Sequence, residues 1–286
     1  MPLTPTQTRI LLIRLGIVPR KNLGQNFLVD GNLVRKSLEL AEIVPGDVVV
    51  EIGAGLGTLS EELLTEGAEV FAVEIDRHLD RNLRASLLPI FPEKFHLLEG
   101  DAVEHPRAGL PDNHPALIGG TYKIVANLPY SVSTPWLDAL LSGPLPERVV
   151  LMLQREAAER FTAGPGTSER SAISIFTEAA FDRADSHPVT RTCFYPVPKV
   201  DSILLGLRRR ADAHTFHLVT KKLIREFFTQ RRKQIGSLAR RAEQPGLDKW
   251  LESLPTHGLT TQSRPEDITL EAWVELDQAI LGLLLP

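Results

Sequence analysis

The 286-residue chain has one cysteine, Cys193. A single thiol forms neither an internal disulfide nor a cysteine-rich zinc site, so the expected setting is a reducing cytoplasm. The net charge is -4. Without an overall positive excess, any nucleic-acid surface must come from a local concentration of basic residues. No stretch approaches the ~20 uninterrupted apolar residues of a membrane helix. The N-terminal run "RILLIRLGIVPRK" is interrupted by Arg14, and no small-residue cleavage site follows, so it does not read as a secretion leader. Internal repeats are absent, and the histidines are scattered without metal-ligand spacing. The chain does have an ordinary globular composition, 43% hydrophobic and 24% charged. Its length is enough to bury a sizeable core, as one large domain or one domain with a smaller companion.

Short apolar runs recur along the first two thirds: "VVVEI" (48–52), "EVFAVEI" (69–75), "KFHLLEGD" (94–101), "YKIVANLP" (122–129) and "RVVLMLQ" (148–154). Nearly continuous apolar runs of this length are the pattern of strands covered on both faces. Helix-like segments lie at 32–43, 58–65, 77–88, 134–142, 155–161 and 172–180. Strands alternating with helices predict a parallel, doubly wound sheet. Two further runs, 188–194 and 200–207, flank "YPVPKV". So short a connection requires an antiparallel pair, because a parallel crossover needs a dozen or more residues. Residues 1–30 read as a polar and basic lead-in. Beyond about residue 210 the strand signals stop, and 214–240, 247–253 and 270–284 read as helices. The expected fold is therefore α/β, a mostly parallel seven-stranded sheet of Rossmann-like type with a small all-helical C-terminal domain. The expected division is 1–209 and 210–286.

"VVVEIGAGLGTLS" sets Gly53, Gly55 and Gly57 between a strand and a helix. The spacing is G-x-G-x-G, not the G-x-G-x-x-G of dinucleotide enzymes. Glycines at such a turn permit tight bending and close approach of backbone to a ligand. Glu74, 21 positions after Gly53, is placed to accept from both hydroxyls of a ribose. Asp101 and Asn127 end the third and fourth strands. Ligands of open α/β sheets bind outside the carboxyl ends of the strands, so these residues converge on one rim. An adenosyl cofactor without a pyrophosphate fits this variant, and S-adenosyl-L-methionine is one. Its ribose would meet Glu74, its adenine Asp101 and its methionine end the glycine turn.

Asn127-Leu128-Pro129-Tyr130 resembles the (Asp/Asn)-Pro-Pro-(Tyr/Phe) signature of methyltransferases that act on amino groups conjugated to planar rings. "KNLGQNFLVD", "EIGAGLGTLS", "VEIDR", "GDAVE", "NLPYSVSTP", "FYPVPKVDS" and "FFTQRRKQIGSL" narrow the likeness. Over roughly residues 20–284 the chain is similar to the bacterial 16S ribosomal RNA adenine dimethyltransferases, which dimethylate two adjacent adenosines in a loop near the RNA 3′ end. The resemblance implies cofactor contacts at Asn26 and Leu28, which the residues alone do not reveal, beside Gly53, Glu74, Asp101 and Asn127. It implies 16S rRNA within an immature small subunit as the partner, with no membrane and a monomeric enzyme. In this reading the Asn127 side chain and the Leu128 carbonyl accept from the adenine amine. Pro129 stiffens the turn and Tyr130 stacks on the base. Phe194 covers the other face, with Tyr195 as the alternative.

Residues 208–241 hold eleven lysines and arginines against two acids, Asp212 and Glu226. This basic concentration suits RNA phosphates, with Arg231, Arg232 and Lys233 as the named candidates and Arg20 and Lys21 as an extension. Many family members carry Tyr-Gly-Arg-Leu-Ser-Val where this chain has "SERSAISI" (168–175), which bears on an adjacent substrate loop. Two competing readings remain: a large-subunit (23S) rRNA adenine methyltransferase, and a non-catalytic RNA-binding assembly factor on the same scaffold.

Overall fold

A computed structural model describes residues 3–20, 24–129 and 132–284. In chain order the first elements are α1 (Pro5–Arg14), β1 (Phe27–Leu28), α2 (Gly31–Leu40), β2 (Val48–Ile52), α3 (Thr58–Thr65), β3 (Glu69–Glu74) and α4 (Arg77–Ser86). They continue through β4 (Phe95–Glu99), α5 (Pro115–Ile118), β5 (Lys123–Asn127), α6 (Ser133–Leu140), β6 (Arg148–Gln154), α7 (Arg155–Phe161) and α8 (Ala172–Ala180). Then come β7 (Phe181–Val189), β8 (Phe194–Tyr195), β9 (Ser202–Arg209), α9 (Leu218–Thr229), α10 (Ile235–Ala242), α11 (Leu247–Ser253) and α12 (Leu270–Leu284).

Seven strands form one sheet in the order β4-β3-β2-β5-β6-β9-β7. From β4 to β6 neighbours are parallel, and β9 runs antiparallel to β6 with Gln154 opposite Ser202. β2 is buried at all five positions, as expected of a strand covered on both faces. The strand order reverses at β2, between β3 and β5. That is the topological switch point at which open α/β sheets hold ligands.

Several local expectations are corrected. The lead-in contains α1, whose Thr4 and Gln7 make a reciprocal capping box before Pro5. The strand expected at 188–194 is instead β7 at 181–189, while 191–193 form a tight helical turn leading into β8. β7 is the last strand of the sheet and buries only its two ends, so it shows no apolar run. β8 pairs antiparallel with β1, matching Phe27 to Tyr195 and Leu28 to Phe194. The single helix expected over 214–240 is two, α9 and α10, interrupted by the polar residues 230–234.

The chain forms two compact units. One contains residues up to Ala158 together with Asp182–Arg209, and the other Glu159–Phe181 together with the chain from Arg210 onward. This differs from a simple cut at residue 209. Residues 159–181 belong with the helices because α8 packs on α9 and α12. Inside the helical unit Trp250 and Trp273 stack at 5.5 Å, and Phe227 lies 6.3 Å from Trp273. Fully buried Asp277 accepts from the His214 ring and from the His217 N–H, and these donors hold its carboxyl below the usual range despite burial.

Candidate active site

A pocket opens along the carboxyl ends of β2, β3, β4 and β5. It is lined by Gly53 and Gly55 from the turn after β2, by Glu74 ending β3, by Asp101 just after β4, and by Asn127 and Pro129 from the end of β5. Asn26 and Leu28 contribute from the N-terminal segment. The six cofactor positions expected from sequence, Asn26, Leu28, Gly53, Glu74, Asp101 and Asn127, thus share one cavity.

Local geometry explains this convergence. Gly53 and Gly55 have φ of +74° and +60°, in the left-handed region that favours glycine. The turn they allow presents the Gly55 N–H to the Glu74 carboxylate at 2.9 Å, while the other Glu74 oxygen accepts from the Asp76 N–H at 2.8 Å. Two donors leave lone pairs on both oxygens, since a carboxylate offers about four acceptor sites. Burial pushes the Glu74 carboxyl up, against these N–H donors. One Asp101 oxygen accepts from the Val103 N–H, and the second remains for a ligand. Asn127 donates through Nδ2 to the Asn26 carbonyl at 3.0 Å. That bond fixes the amide so that Oδ1 is the acceptor, and it fastens the N-terminal motif to the end of β5. The β1–β8 pairing holds the same motif from its other side.

Three residues missed from sequence matter here. Glu51 is buried within β2 and lines the pocket. Burial lifts its carboxyl from the ordinary 4.5 to about 8; the Ser60 hydroxyl, donating at 2.5 Å, opposes that rise and Glu74 reinforces it. The signal was legible: an acid inside an apolar strand covered on both faces has no structural reason to be there. Gln25 and Asp76 form a brace, with Gln25 Nε2 donating to Asp76 at 3.2 Å and Gln25 Oε1 accepting from the Arg20 N–H. Asp76 also caps α4 by accepting from the His78 N–H.

Glu51 yields a pH prediction. Unfolded, its carboxyl ionises near 4.5; folded, it keeps its proton to about 8. Between those values only the unfolded chain gains from ionisation, so this residue lowers stability progressively as pH rises from about 4.5 to 8. Glu51→Gln removes a penalty on the order of 4 kcal/mol at pH 8 and changes little at pH 4.5. Thermal midpoints of the two proteins should diverge steadily across that window; parallel profiles would show that Glu51 is not held neutral.

The pocket's donor set tests the cofactor expectation. Its lining includes two carboxylates, Glu74 and Asp101, the carboxyl of Glu51 and, among the described residues, no lysine, arginine or histidine. Among the described residues a pyrophosphate would find no cation there, whereas a ligand carrying positive charge and hydroxyls finds acceptors. A Cβ built on Gly53 would lie 3.8 Å from Pro129 Cδ, and one on Gly55 would lie 3.5 Å from the Phe27 ring. The turn therefore leaves a cleft that a ligand can enter. These features fit S-adenosyl-L-methionine.

A family model described as ribosomal RNA adenine dimethylase matches residues 18–275. The chain belongs to that family. It is 57% identical over 273 residues to the ribosomal RNA small subunit methyltransferase A of Opitutus terrae, covering 96% of this chain and 97% of the relative. The protein of that name from Moorella thermoacetica is 38% identical, covering 97% and 98%. Among solved structures, the 23S rRNA methyltransferase ErmE superposes with a TM-score of 0.62 at 26% identity, over 89% of this chain and 99% of that one. A dimethyladenosine transferase from Plasmodium falciparum reaches 0.71 at 24% identity, over 87% and 95%, which establishes the shared fold.

The remaining expected residues are placed less uniformly. Leu128 is 2% exposed, so its side chain belongs to the core and only its backbone is available to a substrate. Tyr130 lies outside the described residues, as does Lys21. Phe194 does not line the pocket; at 2% exposed it packs in the main core cluster with Leu28, Leu33 and Val125. Buried to that extent, it presents no open face to a base in this arrangement. Half-buried Tyr195 packs on Leu12, Ile17, Phe27 and Leu79. In the helical unit Arg232 and Lys233 are exposed, but Arg231 is held by Glu266 at 2.7 Å and by the Ser168 carbonyl. Lys221 is buried over the Phe176 ring. Part of the basic segment is thus structural. The 168–175 stretch is anchored by fully buried Arg170, which donates to the Ala163 carbonyl and pairs with Glu178.

Proposed function

We propose that the chain transfers methyl groups from S-adenosyl-L-methionine to the exocyclic N6 of two adjacent adenosines in a loop near the 3′ end of 16S rRNA, within an immature small subunit. The supporting observation is a pocket lined by carboxylates, without basic side chains among the described residues, that runs from Glu74 and Asp101 to Asn127 and Pro129. The small-subunit relatives, 57% and 38% identical, favour this substrate over 23S rRNA, whose methyltransferase ErmE is 26% identical. Intact glycines and acids favour an enzyme over a binding factor. The enzyme acts as a monomer in the cytoplasm, and none of its described helices is long and apolar enough to cross a membrane.

When bound, the cofactor supplies an electrophilic methyl group on a sulfonium. Glu74 would accept from its ribose hydroxyls and Asp101 from its adenine amine, and the Gly53–Gly55 turn would hold its methionine end. The adenine N6 of the substrate is a poor nucleophile because its lone pair is delocalised into the ring. Asn127 Oδ1 and the Leu128 carbonyl accept its two N–H groups, which favours a more tetrahedral nitrogen with its lone pair aimed across the pocket. Pro129 has no N–H and a restricted φ, so the clamp is stiff. No general base is required: the methylated nitrogen is strongly acidic and gives its proton to water. Catalysis then comes mainly from positioning. A monomethylated amine has one N–H fewer, so the clamp tolerates partial loss of its hydrogen bonds in the second round.

The deciding assay is transfer from labelled S-adenosyl-L-methionine to unmethylated small subunits, followed by mapping of the modified bases. Label in 23S rRNA, or tight RNA binding without transfer, would overturn the reading. At the cofactor end, Glu74→Ala should weaken S-adenosyl-L-methionine binding by about 10–100-fold in calorimetry, the loss of charge-assisted hydrogen bonds worth roughly 1.5–3 kcal/mol. Unchanged affinity would exclude its ribose role.

A further inference from the structure

In strand order, the carboxyl rim of the sheet carries Asp101 after β4, Glu74 ending β3, the glycine turn after β2, and Asn127 at the end of β5. The next strand is β6. Asn127 pairs with Met152, so Gln154 stands two residues further along the neighbouring strand. Parallel strands lie ~4.8 Å apart and two residues advance ~6.6 Å, so Gln154 sits roughly 8 Å from Asn127. A second cavity opens there, lined by Gln154, Arg155, Arg191 and Lys199 together with Glu156, Val200 and Asp201.

Its three cations come from three separate segments. Arg155 begins α7, Arg191 belongs to the turn before β8, and Lys199 lies in the loop before β9. The wall is tied to the sheet, since Gln154 pairs with Ser202 and the Arg155 N–H donates to the Asp201 carbonyl. All three cations are exposed, and among the described residues none has a carboxylate within ion-pair distance. Elsewhere in the same unit Arg77, Arg84, Lys123 and Arg148 each have one. Two carboxylates also line the cavity, so it keeps a net positive charge of three cations against two acids. The adjoining loop exposes aliphatic surface, with Val197 58% and Val200 40% accessible between prolines and the start of β9.

We propose that this cavity is a phosphate subsite for the RNA backbone immediately flanking the target adenosine, with Val197 and Val200 covering the neighbouring base. The inference rests on the proposed function. An enzyme that acts on a base must take it out of its stack, and the flanking backbone must be held while it does so. Phosphate contacts supply that register, and arginine's planar fork suits phosphate oxygens. The order along the rim places methyl donor, target nitrogen and cations in sequence, with the cations one strand beyond the acceptor. Such a subsite also gives the enzyme a stop one nucleotide from its target, which suits successive modification of adjacent adenosines.

The test combines Arg155→Gln, Arg191→Gln and Lys199→Gln in one protein and measures methyl transfer to unmethylated small subunits over a salt series, with S-adenosyl-L-methionine affinity and thermal midpoint in parallel. The KM for small subunits should rise about tenfold or more, with kcat within about threefold and cofactor affinity unchanged. The slope of log(1/KM) against log salt should shrink by about 0.7 for each phosphate no longer neutralised. Restoring charge with Arg155→Lys and Arg191→Lys should recover part of the slope. An unchanged KM, or a raised KM with an unchanged salt slope, would overturn the subsite, the latter indicating a neutral or protein contact. If the wild-type protein transfers no methyl to small subunits, the proposed function fails, and the subsite fails with it.

Discussion

Asn127→Ala is expected to lower kcat for methyl transfer by about 10²–10³-fold, the range for removing one preorganised hydrogen-bonding group from a reacting centre. The substitution removes Oδ1, the acceptor of the proposed clamp, together with Nδ2, which donates to the Asn26 carbonyl. It also releases the N-terminal motif from β5, at a net cost of about 1 kcal/mol. Cofactor affinity should therefore fall, but by much less than kcat. Asn127→Asp separates the two roles: it keeps an acceptor but sets a carboxylate against the Asn26 carbonyl, so it should retain more transfer than alanine while weakening the anchor. Single-turnover rates together with calorimetry resolve these contributions. Wild-type turnover in the alanine variant would remove the clamp from the mechanism.

The parts of this site that can be read from sequence are those fixed by a general rule of parallel sheets. Glu74, Asp101 and Asn127 each lie at or just beyond the end of an apolar run, and the carboxyl ends of such strands face one rim. Gly53 announces itself by the spacing of its neighbours. What stays hidden depends on long-range pairing. β1 and β8 are two residues each and exist because Phe27 meets Tyr195 across most of the chain. No local periodicity encodes such a contact, yet it holds Leu28, next to Asn26, against Phe194. β7 escapes for a related reason: a sheet edge buries few side chains, so its sequence "FDRADSHPV" shows no strand pattern. α1 escapes although Thr4, Pro5 and Gln7 spell a capped start, because Ile10 and Ile13 on its length are exposed and blur the apolar stripe.

The basic segment shows how charge counting overreaches. Arg209 donates to the Gly120 and Leu145 carbonyls, Arg208 pairs with Glu42, and Arg231 is bound to Glu266. Positive charge that is already committed within the fold adds little to phosphate affinity. Lys222, Arg225, Arg232, Lys233, Arg240 and Arg241 are also exposed in that stretch. The cations beside β6 form no local cluster in the sequence, because they are spread from Arg155 to Lys199 and converge only in the fold.

Gly53→Val should abolish both cofactor binding and methyl transfer. Two separate costs act there. With φ at +74°, any L-residue pays roughly 1–2 kcal/mol of backbone strain, and a β-branched one more. The added Cβ would also stand 3.8 Å from Pro129 Cδ and 4.0 Å from the Asn127 carbonyl oxygen. Those contacts are ordinary in themselves, but they fill the gap between the glycine turn and the β5 rim, which is where the proposed mechanism brings donor and amine together. Gly16 separates strain from steric closure. It has φ of +66°, and a Cβ added there would meet nothing within 4 Å, so Gly16→Ala carries comparable backbone strain in open space. Gly16→Ala should lower the thermal midpoint by a few degrees and leave S-adenosyl-L-methionine affinity unchanged. Gly53→Ala should show a similar thermal loss together with at least a roughly tenfold loss of affinity, and Gly53→Val no measurable binding. Equal affinities in the two alanine variants would mean that the cleft beside Asn127 is not where the methyl donor lies.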